Sequence, residues 1–218
     1  MIKEIKYGGK LMIKEFFKYA LPSALAMFVS SLYTIVDGIF VGQGVGDSAL
    51  AAVNIVMPFT IMLFGIATMF AVGGGDLVSK NIGRNNKDKA IKIFRQVFKF
   101  LLILSLGISL ISIVFSKEIV KILGATDNLV PLASIYLKYY SLFCIPNLIG
   151  IALNSFVRND GRPKLAMVST LSGAITNIVL DYIFIFPLGM GIKGAAIATG
   201  LGQIVTIAIL IPHFISNK

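Results

Sequence analysis

Residues 17–41 read FKYALPSALAMFVSSLYTIVDGIFV. A helix that crosses a bilayer needs about 20 mostly apolar residues, and this stretch supplies them. Its only charges are Lys18, near its start, and Asp37, well inside. An ionised carboxylate at the bilayer centre costs roughly 2.5–3.5 kcal/mol on insertion scales. Residues of this kind face a polar cavity inside a helix bundle and mark the path of an ion or a substrate. A second aspartate, Asp181, interrupts another apolar stretch in the same way.

Working outward from 17–41, five more spans follow, at about 50–74, 97–115, 130–156, 165–188 and 194–214. The chain of 218 residues is 56% hydrophobic and only 14% charged, where a soluble domain carries about 25% charged residues. The expected class is therefore an all-α polytopic membrane protein with six transmembrane helices. Residues 1–16 form an amino-terminal arm, 17–214 the transmembrane lobe and 215–218 a tail.

The net charge of +10 has a topological reading. Of the 20 Lys and Arg, only Lys117, Lys121, Lys138 and Lys193 fall on one side of the six spans. The others lie in the arm, at Lys18 beside it, in the loop after span two, in the loop after span four and at Lys218. The positive-inside rule then places both termini in the cytoplasm, and the pattern is that of a multi-pass protein of a prokaryotic-type plasma membrane. Within this set, Lys89, Lys92, Gln96 and Lys99 recur at helical spacing, with Ile91, Phe94, Val97 and Phe98 on other faces. This reads as an amphipathic extension of span three that touches anionic headgroups, not as a nucleic-acid surface.

Catalysis finds no support in the residues. Cys144 is the only cysteine and sits in an apolar run, so no internal disulfide forms. His213, the only histidine, lies at the last helix end and reads as an interfacial residue. No nucleophile–base pair, metal cluster or organic cofactor is implied, and the chain does not read as an enzyme. Gly189, Gly191 and Gly194 spell GxGxxG, but no βαβ unit surrounds them, so they read as a turn with close helix packing. The run Gly73–Gly75 is expected to loosen or end span two.

Sidedness also sets depth. Spans one and five run outward, so Asp37 and Asp181 both fall in outer halves. Spans four and six enter from outside and bring Tyr136 and Thr199 to that level. Residues three and four apart share a helix face. That rule aligns Ser30, Thr34 and Asp37 on span one, Asn177 and Asp181 on span five, and Thr199, Gln203 and Thr206 on span six. Such stripes need partners or water, because lipid offers neither donor nor acceptor.

The run Ile35–Gly42, IVDGIFVG, followed by Ala49–Asn54 (ALAAVN) and Pro58, resembles the start of a multidrug and toxic compound extrusion (MATE) transporter. Gly73–Gly83 (GGGDLVSKNIG), Asn159–Pro163 (NDGRP), Asn177–Asp181 (NIVLD) and Gly194–Thr199 (GAAIAT) continue the resemblance in order over nearly the whole chain. The Asn-xxx-Asp of span five is similar to the DinF-like branch. The resemblance implies one six-helix lobe of a twelve-helix transporter that exports cationic or amphipathic compounds, such as drugs, against H⁺ or Na⁺. It implies an ion site for H⁺ or Na⁺ at Asp37, Asn177, Asp181 and Thr199, with Tyr136 lining it and Asn154 a further candidate. Thr34 and Gln203, from the polar stripes, also line the cavity. Pro22 matches a proline where the first helix bends. The second lobe is absent from these 218 residues, so the implied partner is a missing carboxy-terminal half or a second copy.

The expected mechanism follows. Asp37 and Asp181 share a proton and titrate as a pair, or hold Na⁺ with oxygens of Asn177 and Thr199. The alternatives are a lipid-linked oligosaccharide flippase of the same superfamily, whose cleft should be basic, and a non-transporting membrane scaffold.

Overall fold

The computed structural model describes residues 9–216, so Lys3, Lys6 and Lys218 of the expected arm and tail lie outside the described residues. The described residues form eight helices: α1 (Gly9–Gly44), α2 (Asp47–Gly83), α3 (Lys87–Val114), α4 (Ser116–Ile122), α5 (Val130–Ser141), α6 (Cys144–Asn159), α7 (Pro163–Ile185) and α8 (Ile192–Ser216). Five of them, α1, α2, α3, α7 and α8, are long and apolar enough to cross a membrane. The pair α5 and α6 supplies a sixth, bent by 54°.

The bend differs from the straight span expected over 130–156. Its cause is Pro146, in the first turn of α6. Proline lacks the N–H that would reach the carbonyl of Leu142, and its ring crowds that carbonyl. The helix therefore breaks between Ser141 and Cys144, and Phe143 swings its ring onto Gly200 of α8, where any Cβ would overlap it. The Ser109 hydroxyl of α3 donates to the Ser141 carbonyl at 2.7 Å, so the break is bonded from the side.

Each long helix buries a single stripe. On α2 the buried positions are Ala49, Ala52, Val56, Phe59, Leu63, Ala67, Ala71 and Gly74, steps of three and four that keep one face inward. The opposite faces expose large apolar groups, among them Met27, Phe28 and Ile103, the last at 72%. Water would penalise that surface, whereas acyl chains match it.

The triple glycine does not end α2, which continues to Gly83. A Cβ on Gly74 would stand 2.7 Å from Val97 Cγ2, and one on Gly75 would strike the Asn159 amide. These glycines bring α2 against α3 and α6. Gly189 and Gly191 have φ of 58° and turn the chain from α7 into α8, which accounts for the GxGxxG without a nucleotide.

The closest seam joins α7 to α8. A Cβ on Gly202 would lie 2.7 Å from the Gly173 carbonyl oxygen, and one on Gly173 would lie 2.8 Å from that of Gly202. Backbone meets backbone there, so small residues set the contact. The topology collects loops 84–86 and 160–162 with the end of α8 at one end of the bundle, the basic end. The α1–α2 and α7–α8 turns lie at the other.

Candidate cation site

Helix α1 presents Asp37 and helix α7 presents Asp181, and their carboxyl groups face each other. Asp181 is wholly buried, and Asp37 is half-buried. Asn177, one turn before Asp181, is buried and flanks its carboxyl without closing a hydrogen bond to it. The Asn177 Nδ2 instead donates to Thr199 Oγ1 of α8 at 3.4 Å, and that hydroxyl donates to the Ala195 carbonyl at 3.0 Å. Tyr136 of α5, 5% exposed, lies within electrostatic reach of both aspartates. The structure thus brings together Asp37, Asn177, Asp181, Thr199 and Tyr136.

The bonding of these groups is incomplete. Both oxygens of Asp181, Oδ1 of Asp37 and Oδ1 of Asn177 are buried without a hydrogen-bond donor. Buried acceptors are normally paired, and an unpaired one costs about 1–3 kcal/mol, more when charged. A cluster of oxygens lacking donors, two of its members carboxylates, is complementary to a proton or a hard cation. Among the described residues no three His, Cys, Asp or Glu converge. A metal ion here would rest on two carboxylates with neutral amide and hydroxyl oxygens, a donor set suited to Na⁺ and poor for a transition metal.

Three further residues join the wall. Tyr33, one turn before Asp37 on the same face of α1, is within reach of both carboxylates. Tyr140 stacks on Tyr136 with ring centroids 6.1 Å apart. Asn147 of α6 donates from Nδ2 to the Tyr140 hydroxyl. The spacing from Tyr33 to Asp37 and from Tyr136 to Tyr140 carried the signal for two of these. Nothing in the sequence announced Asn147, which reaches Tyr140 only because the span breaks at Leu142.

Other expected lining residues are engaged elsewhere. Asn154 Nδ2 reaches the Ala166 carbonyl at 2.9 Å, Thr170 Oγ1 at 3.0 Å and Ser169 Oγ at 3.2 Å. Its Oδ1 accepts from Arg158 Nη2 at 2.9 Å. From Thr170 to Asp181 the α7 axis rises about 16 Å, at about 1.5 Å per residue, so Asn154 belongs to a separate polar knot nearer the basic end. Asn154→Ala should lower stability by about 1–3 kcal/mol and leave cation binding unchanged. Thermal unfolding and cation titration of the same preparation check both halves. Thr34 donates to the Ser30 carbonyl of its own helix at 3.0 Å and is exposed. Gln203 is half-buried, and its Oε1 packs against Gly150 of α6. Pro22 is buried inside α1, which continues through it.

His213 lies near the end of α8, as expected, and is packed inside the protein. It is 5% exposed, and its Nε2 lies 2.8 Å from Asp160 Oδ2 in the α6–α7 loop.

Comparison with known proteins places the chain in a family. The sequence model of the family described as MatE matches residues 22–183. The multidrug export protein MepA of Staphylococcus aureus (strain MSSA476) is 27% identical over 205 residues, covering 94% of this chain and 46% of that protein. MepA of Staphylococcus saprophyticus is 28% identical over 208 residues, with 94% and 46% covered. The chain thus spans about half the length of these curated relatives. Among solved structures, a MATE protein in complex with MaD3S superposes with a TM-score of 0.84 at 30% identity, over 92% of this chain and 45% of that one. A MOP superfamily transporter from Pyrococcus furiosus, described as having a binding pocket of reverse polarity, gives 0.84 at 28%, over 92% and 44%. Six apolar spans, the buried acid pair on the first and fifth of them, and a family match from Pro22 into α7 lead to one conclusion: this chain belongs to the MatE family.

Proposed function

We propose that this chain is the ion-binding lobe of a cation-coupled exporter of cationic or amphipathic small molecules in a bacterial plasma membrane, with its basic end in the cytoplasm. The observation that carries the reading is the Asp37–Asp181 pair with its donorless buried oxygens. Two like unit charges at hydrogen-bonding range repel by about 4 kcal/mol at an effective dielectric near 20. A proton or Na⁺ between them removes that repulsion, with Asn177 Oδ1 and Thr199 Oγ1 as the neutral oxygens beside it.

Export follows from competition. With the site empty of its ion, the carboxylates and the rings of Tyr33, Tyr136 and Tyr140 form a surface suited to an aromatic cation. Entry of the coupling ion from outside cancels the negative charge, and the substrate loses its electrostatic partner. Helix α1 carries Asp37 and lacks one backbone hydrogen bond at Pro22, so it is the element with freedom to respond. Each inward charge gains about 2.3 kcal/mol per 100 mV of membrane potential. The named activity of the MepA relatives, multidrug export, agrees with this direction.

A lipid-linked oligosaccharide flippase fits less well, since the described core gathers carboxylates and not the basic groups that a pyrophosphate would need. Flux decides the matter. Proteoliposomes containing the chain with a second six-helix lobe should take up H⁺ or Na⁺ on addition of an amphipathic cation, and the chain without a second lobe should not. Absence of flux from a verified two-lobe assembly would support a scaffold.

A further inference from the structure

At the basic end, far from the carboxylate pair, a cavity of about 470 Å³ opens between α2, α3, α6 and α8. Its floor is aromatic. Phe94 meets Phe156 edge-on with centroids 4.9 Å apart and stacks on Phe214 at 5.3 Å. Its rim is polar and carries both signs, with Lys87 at the start of α3 and Asp160 after α6, and with Asn159 and Ser79 between them in kind. Asp160 is held in place by the buried His213 at 2.8 Å, yet its side chain remains 53% exposed. Lys87 is exposed and has no ion pair among the described residues.

From this arrangement we infer that the cavity is a binding site for a phospholipid with a zwitterionic, primary-amine headgroup, of the phosphatidylethanolamine class. The location comes first. The cavity lies where the apolar spans pass into charged loops, the level of the lipid headgroups, and an acyl chain can lie on the exposed Ile91 and Ile82 beside the phenyl floor. Charge complementarity comes second. The Lys87 ammonium matches the phosphate, and the Asp160 carboxylate matches a primary ammonium that donates hydrogen bonds. Choline offers no N–H to that carboxylate, and glycerol offers no charge. The outer row Lys92, Arg95 and Lys99 attracts anionic headgroups in general. The cavity differs because it places an acid beside the base. The inference rests on this cavity and not on the proposed ion site.

The purified full chain, delipidated in detergent and exposed to equal amounts of phosphatidylethanolamine, phosphatidylcholine and phosphatidylglycerol, is examined by native mass spectrometry. Retention of phosphatidylethanolamine should exceed that of the other two by about fivefold, the contribution of one strong rim ion pair. Asp160→Asn should bring it down to the phosphatidylcholine level, whereas Lys87→Gln, which removes the partner of the phosphate that all three lipids share, should lower retention of all three about equally. Asp160→Asn also disturbs His213, so His213→Gln, which alters that contact and keeps the carboxylate, is the control and should keep the preference. Equal retention of all three lipids by the unaltered chain, an unchanged preference in Asp160→Asn, or retention unaltered for every lipid in Lys87→Gln would overturn the assignment. Soluble glycerophosphoethanolamine should fail to bind at concentrations where the lipid saturates. If it binds as tightly, the site takes a free headgroup and the lipid assignment is wrong.

Discussion

Asp181→Asn should weaken binding of the coupling cation to the purified lobe by about 10- to 150-fold, the equivalent of one charge-assisted contact of about 1.5–3 kcal/mol. The same substitution should leave the cation-free lobe more stable. The reason lies in the geometry. Asp181 is fully buried opposite Asp37, and neither of its oxygens has a donor. The amide keeps the shape, removes one of two opposed charges, and brings its own N–H₂ toward the Asp37 carboxylate. For a chain of this size about 1 kcal/mol corresponds to about 2–4 °C, so a rise of that order or somewhat more is expected in thermal unfolding. Loss of affinity with gain of stability marks a binding site kept under electrostatic strain. A residue that merely joins helices would lose stability when altered. If Asp181→Asn unfolds earlier and binds the cation as before, the pair is structural glue.

Gly202→Val should be the most damaging single change outside that site. The Cβ alone would stand 2.7 Å from the Gly173 carbonyl oxygen and 3.2 Å from Asn177 Cβ. The first of these is backbone and cannot rotate away. Helices α7 and α8 must separate, which also pulls Asn177 from Thr199, a contact already at 3.4 Å. Overpacking costs about 1–3 kcal/mol in a well-packed core, and both members of this contact are main chain, so the upper part of that range applies. Unfolding should begin about 6–12 °C lower, and cation affinity should fall with it. Gly65→Ala, where a Cβ meets nothing within 4 Å, is the control and should be silent in both measurements.

The fold was readable because membrane physics leaves few choices. Apolar length gave the spans, and the loop lysines and arginines gave an expected sidedness. That expectation put Asp37 and Asp181 at one depth, and the structure brings their carboxyls face to face. Other features depended on local backbone chemistry that hydropathy does not register. Pro146 sits inside an apolar stretch and looks harmless there, yet it removes the bond to Leu142 and breaks the fourth span. The glycines of α2 looked like a weak point because glycine loosens an isolated helix. In the folded lobe they are where Val97 and Asn159 approach, and the helix runs on.

Side-chain destinations were the least legible. Asn154 has the chemistry of a cavity-lining amide, but Ala166, Thr170 and Arg158 saturate it first. His213 does lie near the end of α8, but its bond to Asp160 was invisible because that partner lies in a loop 53 positions away in sequence. Tyr33 stands one turn before Asp37 on the same helix face, but a tyrosine in an apolar span carries less signal than the polar stripe Ser30, Thr34 and Asp37 beside it.

The function proposed for this lobe stands on Asp37 and Asp181 together forming one cation site. Its most direct test is a titration of the purified lobe with Na⁺ at fixed pH, recording ion binding by calorimetry and proton release with a pH indicator, for the unaltered chain and for Asp37→Asn/Asp181→Asn. The unaltered chain should show one binding event per lobe, seen either as Na⁺ uptake or as a proton held by the pair and released by Na⁺. The double amide variant should remain folded and show neither. Identical titrations from both proteins would contradict the proposal.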